Sequence, residues 1–150
     1  MRRKISSVKG RSALATVLES TVLESTLLES TVLEQTESSK EGKPRKEAET
    51  RKEVVPPKEA VATAVRYLLE ELATLHPGRT LEVRVPPYGA VQCVAGPTHT
   101  RGTPPNVVEC SPEVWIALAT GALSWEEALN DHQVIASGTR ASLAGLLPLC

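Results

Sequence analysis

The segment that most constrains the fold of this chain runs from His99 to Leu129 and reads HTRGTPPNVVECSPEVWIALATGALSWEEAL. It begins in a loop rich in glycine and proline, and its apolar run over 106–110 has the length and composition of a short strand. Two short helical patterns follow without a linker between them. This close succession of loop, strand and helices predicts the centre of a folded domain.

Both helical patterns carry their own start and stop signals. Ser111 and Pro112 supply an N-cap and a first helical residue, and Gly121 ends the first helix. Ser124 and Glu127 have the spacing of a capping box, which starts the second helix. Four apolar side chains of these two helices are expected to face the core: Trp115, Leu118, Ala128 and Leu129.

A longer amphipathic helix precedes this segment. Pro56 and Pro57 favour a helix start, and the run His76-Pro77-Gly78 ends the helix. Its apolar residues recur at helical spacing on one face: Val61, Ala64, Val65, Leu68, Leu72 and Leu75.

Short apolar runs bounded by turn residues predict three further strands, over 81–85, 89–94 and 134–137. A last apolar run, with Leu143, Leu146 and Leu147, predicts a short final helix. The resulting order is α-β-β-β-α-α-β-α. Because strands and helices are largely segregated, the order predicts an α+β fold, a small mixed β-sheet covered on one face by helices.

The first 55 residues have a different character. From Thr16 a pentad recurs four times, as TVLES, TVLES, TLLES and TVLEQ. In a helix, five residues advance by about 500°, so the Val-Leu pairs scatter around the axis, and in a strand they alternate faces. The stretch 36–58 is dense in charged residues, Ser and Pro and is typical of a solvated linker. We therefore expect a low-complexity, disordered tail over 1–55 and a domain over 56–150, with a frayed helix or a β-solenoid coil as alternatives for the repeat.

Composition and charge exclude several classes of function. The net charge of -1 gives no reason to expect nucleic acid as a partner. No stretch approaches the roughly 20 apolar residues of a membrane span, and glutamates interrupt every candidate signal peptide. Three widely spaced cysteines, Cys93, Cys110 and Cys150, favour reduced thiols, the first two buried in strands. We therefore expect a cytoplasmic protein without a membrane span.

The sequence contains no catalytic motif: no Gly-rich phosphate loop, HExxH, CxxC or nucleophile elbow. Its histidines lie far apart at turns, so we expect no metal site, and no cofactor is indicated. The best polar candidate is the loop with His99 and Arg101, because a guanidinium beside flexible backbone can bind a carboxylate or phosphate head group. Alternatively, Arg101 and Asn106 tie this Pro-rich crossover to neighbouring carbonyls.

Two stretches carry a resemblance to a known family: GAVQCVAGPTHTRGTPPNVVECSPEVWIALATGALSWEEAL and VIASGTRASLAGLLPL. From about Ala60 to Leu149 the chain resembles the bacterial sterol-carrier-like family, small proteins of the sterol carrier protein 2 fold. The most specific features are the motif over 99–109 and the pairing of Trp115 with the turn at Ser137-Gly138. The resemblance implies a five-stranded sheet with helices against one face, enclosing an apolar cavity. The residue pattern itself predicts only four strands.

The resemblance further implies non-enzymatic binding or carrying of an apolar or amphipathic small molecule, such as a fatty acid, acyl-CoA or a sterol-like lipid. Two alternatives remain open, a fully packed module that binds a protein partner and an accessory domain of a mycothiol-type, thiol-dependent enzyme system. The candidate ligand-binding residues combine the polar loop with apolar helix positions: His99, Arg101, Asn106, Trp115, Leu118, Leu143, Leu146 and Leu147. A plain hydrophobic core would use the same apolar residues, and the sequence does not distinguish a core from a cavity.

Overall fold

The computed structural model describes residues 5–33, 55–97, 101–102 and 104–150, with side chains up to residue 23 in the first of these ranges. It contains four helices and four strands in the described residues. In chain order they are α1 (Ser7–Leu33), α2 (Lys58–Leu75), β1 (Leu81–Val85), β2 (Gly89–Cys93), β3 (Val107–Cys110), α3 (Pro112–Thr120), α4 (Trp125–Asn130) and β4 (Val134–Ser137).

The four strands form one mixed sheet in the order β2-β1-β3-β4. Strand β1 is antiparallel to β2 and parallel to β3, and β3 is antiparallel to β4. The inward side chains of β1 are fully buried, while Glu82 and Arg84 lie on the opposite face beside Gln92. The sheet is therefore packed on one face and polar on the other, which confirms the predicted α+β fold.

The core lies between the inner face of the sheet and helices α2 and α3. Trp115, Leu68 and Leu72 are completely buried there, and the indole Nε1 of Trp115 donates a hydrogen bond to the carbonyl of Val65. Because an indole N–H needs a partner when it is buried, this bond fixes α3 against α2. The predicted inward positions Leu118 and Ala128 are also buried, at 1% and 0% exposure.

The described N-terminal residues form a helix, which is the alternative for the repeat rather than the expected disorder. Ser7–Leu33 form a helix, although the pentad repeat gives that helix no single apolar face. Its first turns lie antiparallel against α2, where Gly10 meets the ring of Tyr67 so closely that an added Cβ would lie 2.2 Å from the ring. Leu14 and Val17 join the core, with 8% and 6% of their surface exposed. Packing against α2 thus stabilises a helix in residues whose own sequence pattern does not predict an amphipathic helix. Of the expected linker over 36–58, residues 36–54 lie outside the described residues, and Lys58 already belongs to α2.

The predicted final helix with Leu143, Leu146 and Leu147 is wrong. The amide of Leu146 donates to the carbonyl of Leu143 in a single turn, and the chain then continues in irregular structure. Gly145 adopts a φ of 74°, and Pro148 lacks the amide that a continuing helix needs. These two residues leave too few positions for a helix.

Smaller differences concern single residues. Leu129 is 39% exposed, because the short helix α4 directs only Trp125 and Ala128 inward. Strand β2 ends one residue earlier than predicted, since Val94 leaves the extended conformation with a φ of 67°. No fifth strand occurs in the part of the chain that the structure describes.

Candidate functional site

A groove of about 270 Å³ with polar and apolar walls lies between the turn that joins α3 to α4 and the C-terminal segment 143–148. We call it the C-terminal groove. Its walls come from two stretches of chain that are separated in sequence. The lining residues are Leu118, Gly121, Leu123, Ser124, Trp125, Glu126, Leu143, Ala144, Gly145, Leu147 and Pro148.

The first wall is set by the caps of the two short helices. The Ser111 hydroxyl accepts a hydrogen bond from the amide of Val114 at the start of α3, and Gly121 ends α3 in the left-handed conformation with a φ of 78°. The amide of Leu123 then donates to the carbonyl of Ala117. A positive φ at a helix end favours glycine, because it has no Cβ to clash with the backbone. The turn is thus closely specified, and it presents Leu123 to the groove.

The capping box predicted for α4 is confirmed. The Ser124 hydroxyl accepts from the amide of Glu127, and the Glu127 carboxylate accepts from both the amide and the hydroxyl of Ser124. These bonds favour the charged carboxylate and lower the pKa of Glu127. Because the box fixes the first turn of α4, it also fixes Trp125, which is 7% exposed and lines the groove.

The second wall is the C-terminal segment, which is attached to α3. The amide of Leu149 donates to the carbonyl of Ala119 at 2.8 Å. Leu143 is completely buried and anchors the other end of the segment in the core. Pro148 packs over Gly121, where an added Cβ would lie 3.4 Å from the proline ring. Both ends of this wall are therefore held, and the exposed residues Ala144 and Gly145 lie between them.

The accessible lining of the groove is divided almost evenly between polar and apolar atoms. Among the described residues, Glu126 is the one charged residue that lines it, and the Ser124 hydroxyl is already engaged by Glu127. No described lysine, arginine or histidine contributes to the lining. The leucine and tryptophan side chains offer contacts to hydrocarbon, and Glu126 disfavours an anionic group beside it.

The structure brings together three of the eight predicted ligand-binding residues. Leu118, Leu143 and Leu147 line the C-terminal groove. Trp115 instead belongs to the closed core, and Leu146 packs on the core without lining the groove. The groove residues Leu123 and Trp125 were not predicted. Leu123 at N′ and Ala128 at N4 of α4 have the spacing of a hydrophobic staple, a signal that could have indicated an inward-facing Leu123.

The predicted polar residues Asn106 and Arg101 do not line the C-terminal groove. Asn106 is 5% exposed, and its side-chain amide donates to the carbonyl of Thr80 at 3.0 Å while its oxygen accepts from the amide of Arg140 at 2.9 Å. These bonds join the beginnings of β1 and β3 to the chain after β4. Arg101 is exposed and does not line the C-terminal groove. His99 lies outside the described residues.

The thiols occupy unreactive surroundings. Cys93 and Cys110 are buried as predicted, and burial raises their pKa values to about 11 and about 12. For Cys110 the neighbouring carboxylate of Glu109 adds to this effect. Burial also raises the pKa of the exposed C-terminal Cys150, with a smaller contribution from Glu71. A thiol with a raised pKa is a poor nucleophile at neutral pH. Within the described residues, no group of three His, Cys, Asp or Glu side chains is placed to hold a metal ion.

Residues 57–149 match the family model described as bacterial SCP ortholog, and the chain therefore belongs to this family of sterol-carrier-like domains. At a coarse level the family indicates binding of an apolar ligand. No curated protein matches the chain. None of the helices that the structure describes is long and apolar enough to cross a membrane.

Proposed function

We propose that this protein binds an apolar small molecule without chemical conversion, and that the C-terminal groove holds the ligand. The observation that supports this most is the placement of Leu123, Leu147 and Trp125 along one groove, together with the buried Leu118 and Leu143, in a chain of the bacterial SCP ortholog family. Each methylene group that is buried in the groove would contribute about 0.8 kcal/mol before the entropy cost of association.

The charge of the groove favours a particular kind of head group. Glu126 is the charged residue at its mouth, so a carboxylate there would meet a like charge. A hydroxyl can donate a hydrogen bond to a carboxylate instead. We therefore favour an uncharged, hydroxyl-bearing lipid, such as a fatty alcohol or a sterol-like molecule, over a fatty acid or acyl-CoA.

The proposal is tested by titrating the full-length chain with dodecanol and with dodecanoate while following tryptophan fluorescence. Trp125 lines the groove, so a bound alkyl chain changes its surroundings. Dodecanol is expected to bind saturably and more tightly than dodecanoate. Ala144→Phe, which fills the groove from its exposed rim, is expected to weaken the binding of dodecanol.

The matched control is Ala122→Phe, the same substitution at an exposed position of the α3–α4 turn that does not line the groove. It is expected to leave the affinity for dodecanol unchanged. Equal loss of binding in both variants, or no saturable binding of either ligand to the parent chain, contradicts the proposal.

A further inference from the structure

Among the residues that the structure describes, no strand lies beside the outer edge of β2, which pairs with β1 alone in the four-stranded sheet. The hydrogen bonds of β1 show which β2 residues face this free edge. The amide of Glu82 donates to the carbonyl of Asn106 at 3.0 Å, so the even-numbered residues of β1 bond to β3 and its odd-numbered residues bond to β2. In the register with Val83 opposite Val91, Val91 bonds to β1. The backbone N–H and C=O groups of Ala90 and Gln92 therefore point outward from the sheet.

Helix α2 closes both ends of this edge. The Nε of Arg66 donates to the carbonyl of Tyr88 at 3.0 Å, just before β2. The amide of Val94, just after β2, donates to the carbonyl of His76 at 2.8 Å. Between these two bonds lie the exposed residues Ala90 and Gln92. The open interval thus offers two backbone donors and two backbone acceptors to a further strand.

A groove of about 420 Å³ runs along the same interval, and we call it the β2-edge groove. It lies between β2, one side of α2 and the beginning of α1. Its lining residues are Ile5, Lys9, Thr63, Arg66, Leu69, Glu70, Gly89, Ala90 and Val91. The inward position Gly89 has no side chain, and an added Cβ would lie 3.5 Å from Leu69. Alternate side chains of an added strand could therefore enter this groove.

The charges beside the groove indicate which strand would fit. Lys9 and Arg66 both line it. The Glu70 carboxylate accepts a hydrogen bond from the amide of Ile5 at 3.1 Å. Strand β2 itself, GAVQC, contains no charged residue and no proline, the usual features that prevent pairing at a sheet edge. A second copy that paired through its own β2 would bring no carboxylate on that strand to Lys9 and Arg66, since GAVQC contains none.

We propose that the open interval of β2 binds an extended segment of a partner protein by strand addition. The partner strand makes backbone hydrogen bonds to Ala90 and Gln92 and places an apolar side chain over Leu69. An acidic side chain of the partner lies near Lys9 and Arg66. In strand addition the backbone bonds supply affinity and the alternate side-chain pockets supply specificity. This site is separate from the C-terminal groove, and Lys9 lies outside the family-matched residues 57–149.

The test begins with selection of a displayed random heptapeptide library on the immobilised full-length chain. The enriched peptides are expected to alternate apolar residues and to contain Asp or Glu. Amide hydrogen exchange of the ¹⁵N-labelled protein is then measured with and without a synthesised peptide. In the free protein the amides of Ala90 and Gln92 should exchange fast, while those of Val91 and Cys93 are protected by β1. The peptide should slow exchange at Ala90 and Gln92 by about tenfold or more.

Charge variants provide the matched comparison. Lys9→Glu is expected to weaken peptide binding by about two- to fivefold, as for an exposed ion pair. Lys58→Glu makes the same change at an exposed position that does not line the β2-edge groove, and it should leave binding unchanged. Three results would overturn the proposal: no enriched peptide, enriched peptides that leave exchange at Ala90 and Gln92 unaltered, or concentration-dependent protection of these amides in the free protein, which would indicate a second copy as the occupant.

Discussion

A substitution at Asn106 tests whether this residue of the polar loop has a structural role or contacts the ligand. Its nearly buried side chain makes two hydrogen bonds, one to the carbonyl of Thr80 and one from the amide of Arg140. Asn106→Ala removes both bonds, each worth about 1 kcal/mol net, and leaves the buried Thr80 carbonyl without this donor, at a further cost of about 1 kcal/mol or more. We therefore expect a loss of about 3 kcal/mol in the free energy of unfolding.

Urea denaturation of the full-length chain, followed by fluorescence of the buried Trp115 and Trp125, measures this loss. For a domain of this size it corresponds to a fall in Tm of about 12–24 °C. Binding of dodecanol to the folded variant should be unchanged, since Asn106 does not line the C-terminal groove. A loss of stability below about 0.5 kcal/mol together with weakened ligand binding would refute the structural role.

Asn106→Asp tests the two hydrogen bonds of this side chain separately. The carboxylate keeps an acceptor for the amide of Arg140 but places an acceptor against the carbonyl of Thr80, so its ionised form is disfavoured by folding. The folded-state pKa of this Asp then exceeds its unfolded value. The variant should therefore gain stability relative to the parent as the pH falls and the carboxyl becomes a donor. A difference between variant and parent that stays constant with pH would contradict this explanation.

Two further predictions concern turns. Gly138→Ala should lower the free energy of unfolding by about 2 kcal/mol or more, because the residue has a φ of 109° and its Cβ would lie 2.1 Å from the carbonyl oxygen of Pro105. Gly145→Ala, with a φ of 74° and no atom within 4 Å of its Cβ, should lower it by only about 1 kcal/mol in the same denaturation assay. Equal losses in the two variants would show that the close approach at Gly138 is unimportant. Ser124→Ala should lower the free energy of unfolding by about 1 kcal/mol at neutral pH. The lowered pKa of Glu127 stabilises the fold at a pH above the ordinary pKa of a glutamate, and this stabilisation is lost as the pH falls through the pKa of Glu127 in the folded protein. The difference in stability between variant and parent should therefore shrink in acid. A difference that grows in acid would contradict the capping-box account.

The elements that the sequence predicts correctly are specified by capping and turn residues within them or next to them. Helix α3 begins after Ser111 and ends at Gly121 as expected, and β4 occupies Val134–Ser137. Caps and turns depend on neighbours within a few residues, so a single sequence suffices to find them. The final helix was predicted from leucine spacing alone, and the effects of Gly145 and Pro148 outweigh that spacing.

Features that depend on contacts between residues distant in sequence could not be predicted. Helix α1 is positioned by the fit of Gly10 against Tyr67, which no periodicity in α1 indicates. The C-terminal groove exists because Leu149 bonds to Ala119 and brings the C-terminal segment against the α3–α4 turn. The sequence therefore indicates Leu118, Leu143 and Leu147 as apolar candidates, but leucine spacing does not separate the partly exposed Leu147 from residues buried in the core such as Trp115.

The most direct test of the proposed function is an isotope-filtered nuclear Overhauser experiment on the full-length chain with dodecanol. It reports which protein protons lie beside the bound alkyl chain. We expect contacts from dodecanol to the methyl groups of Leu123 and Leu147 and to the indole ring of Trp125, all of which line the C-terminal groove. Contacts confined to other residues, or saturable binding that produces none of these three, would contradict the proposed function.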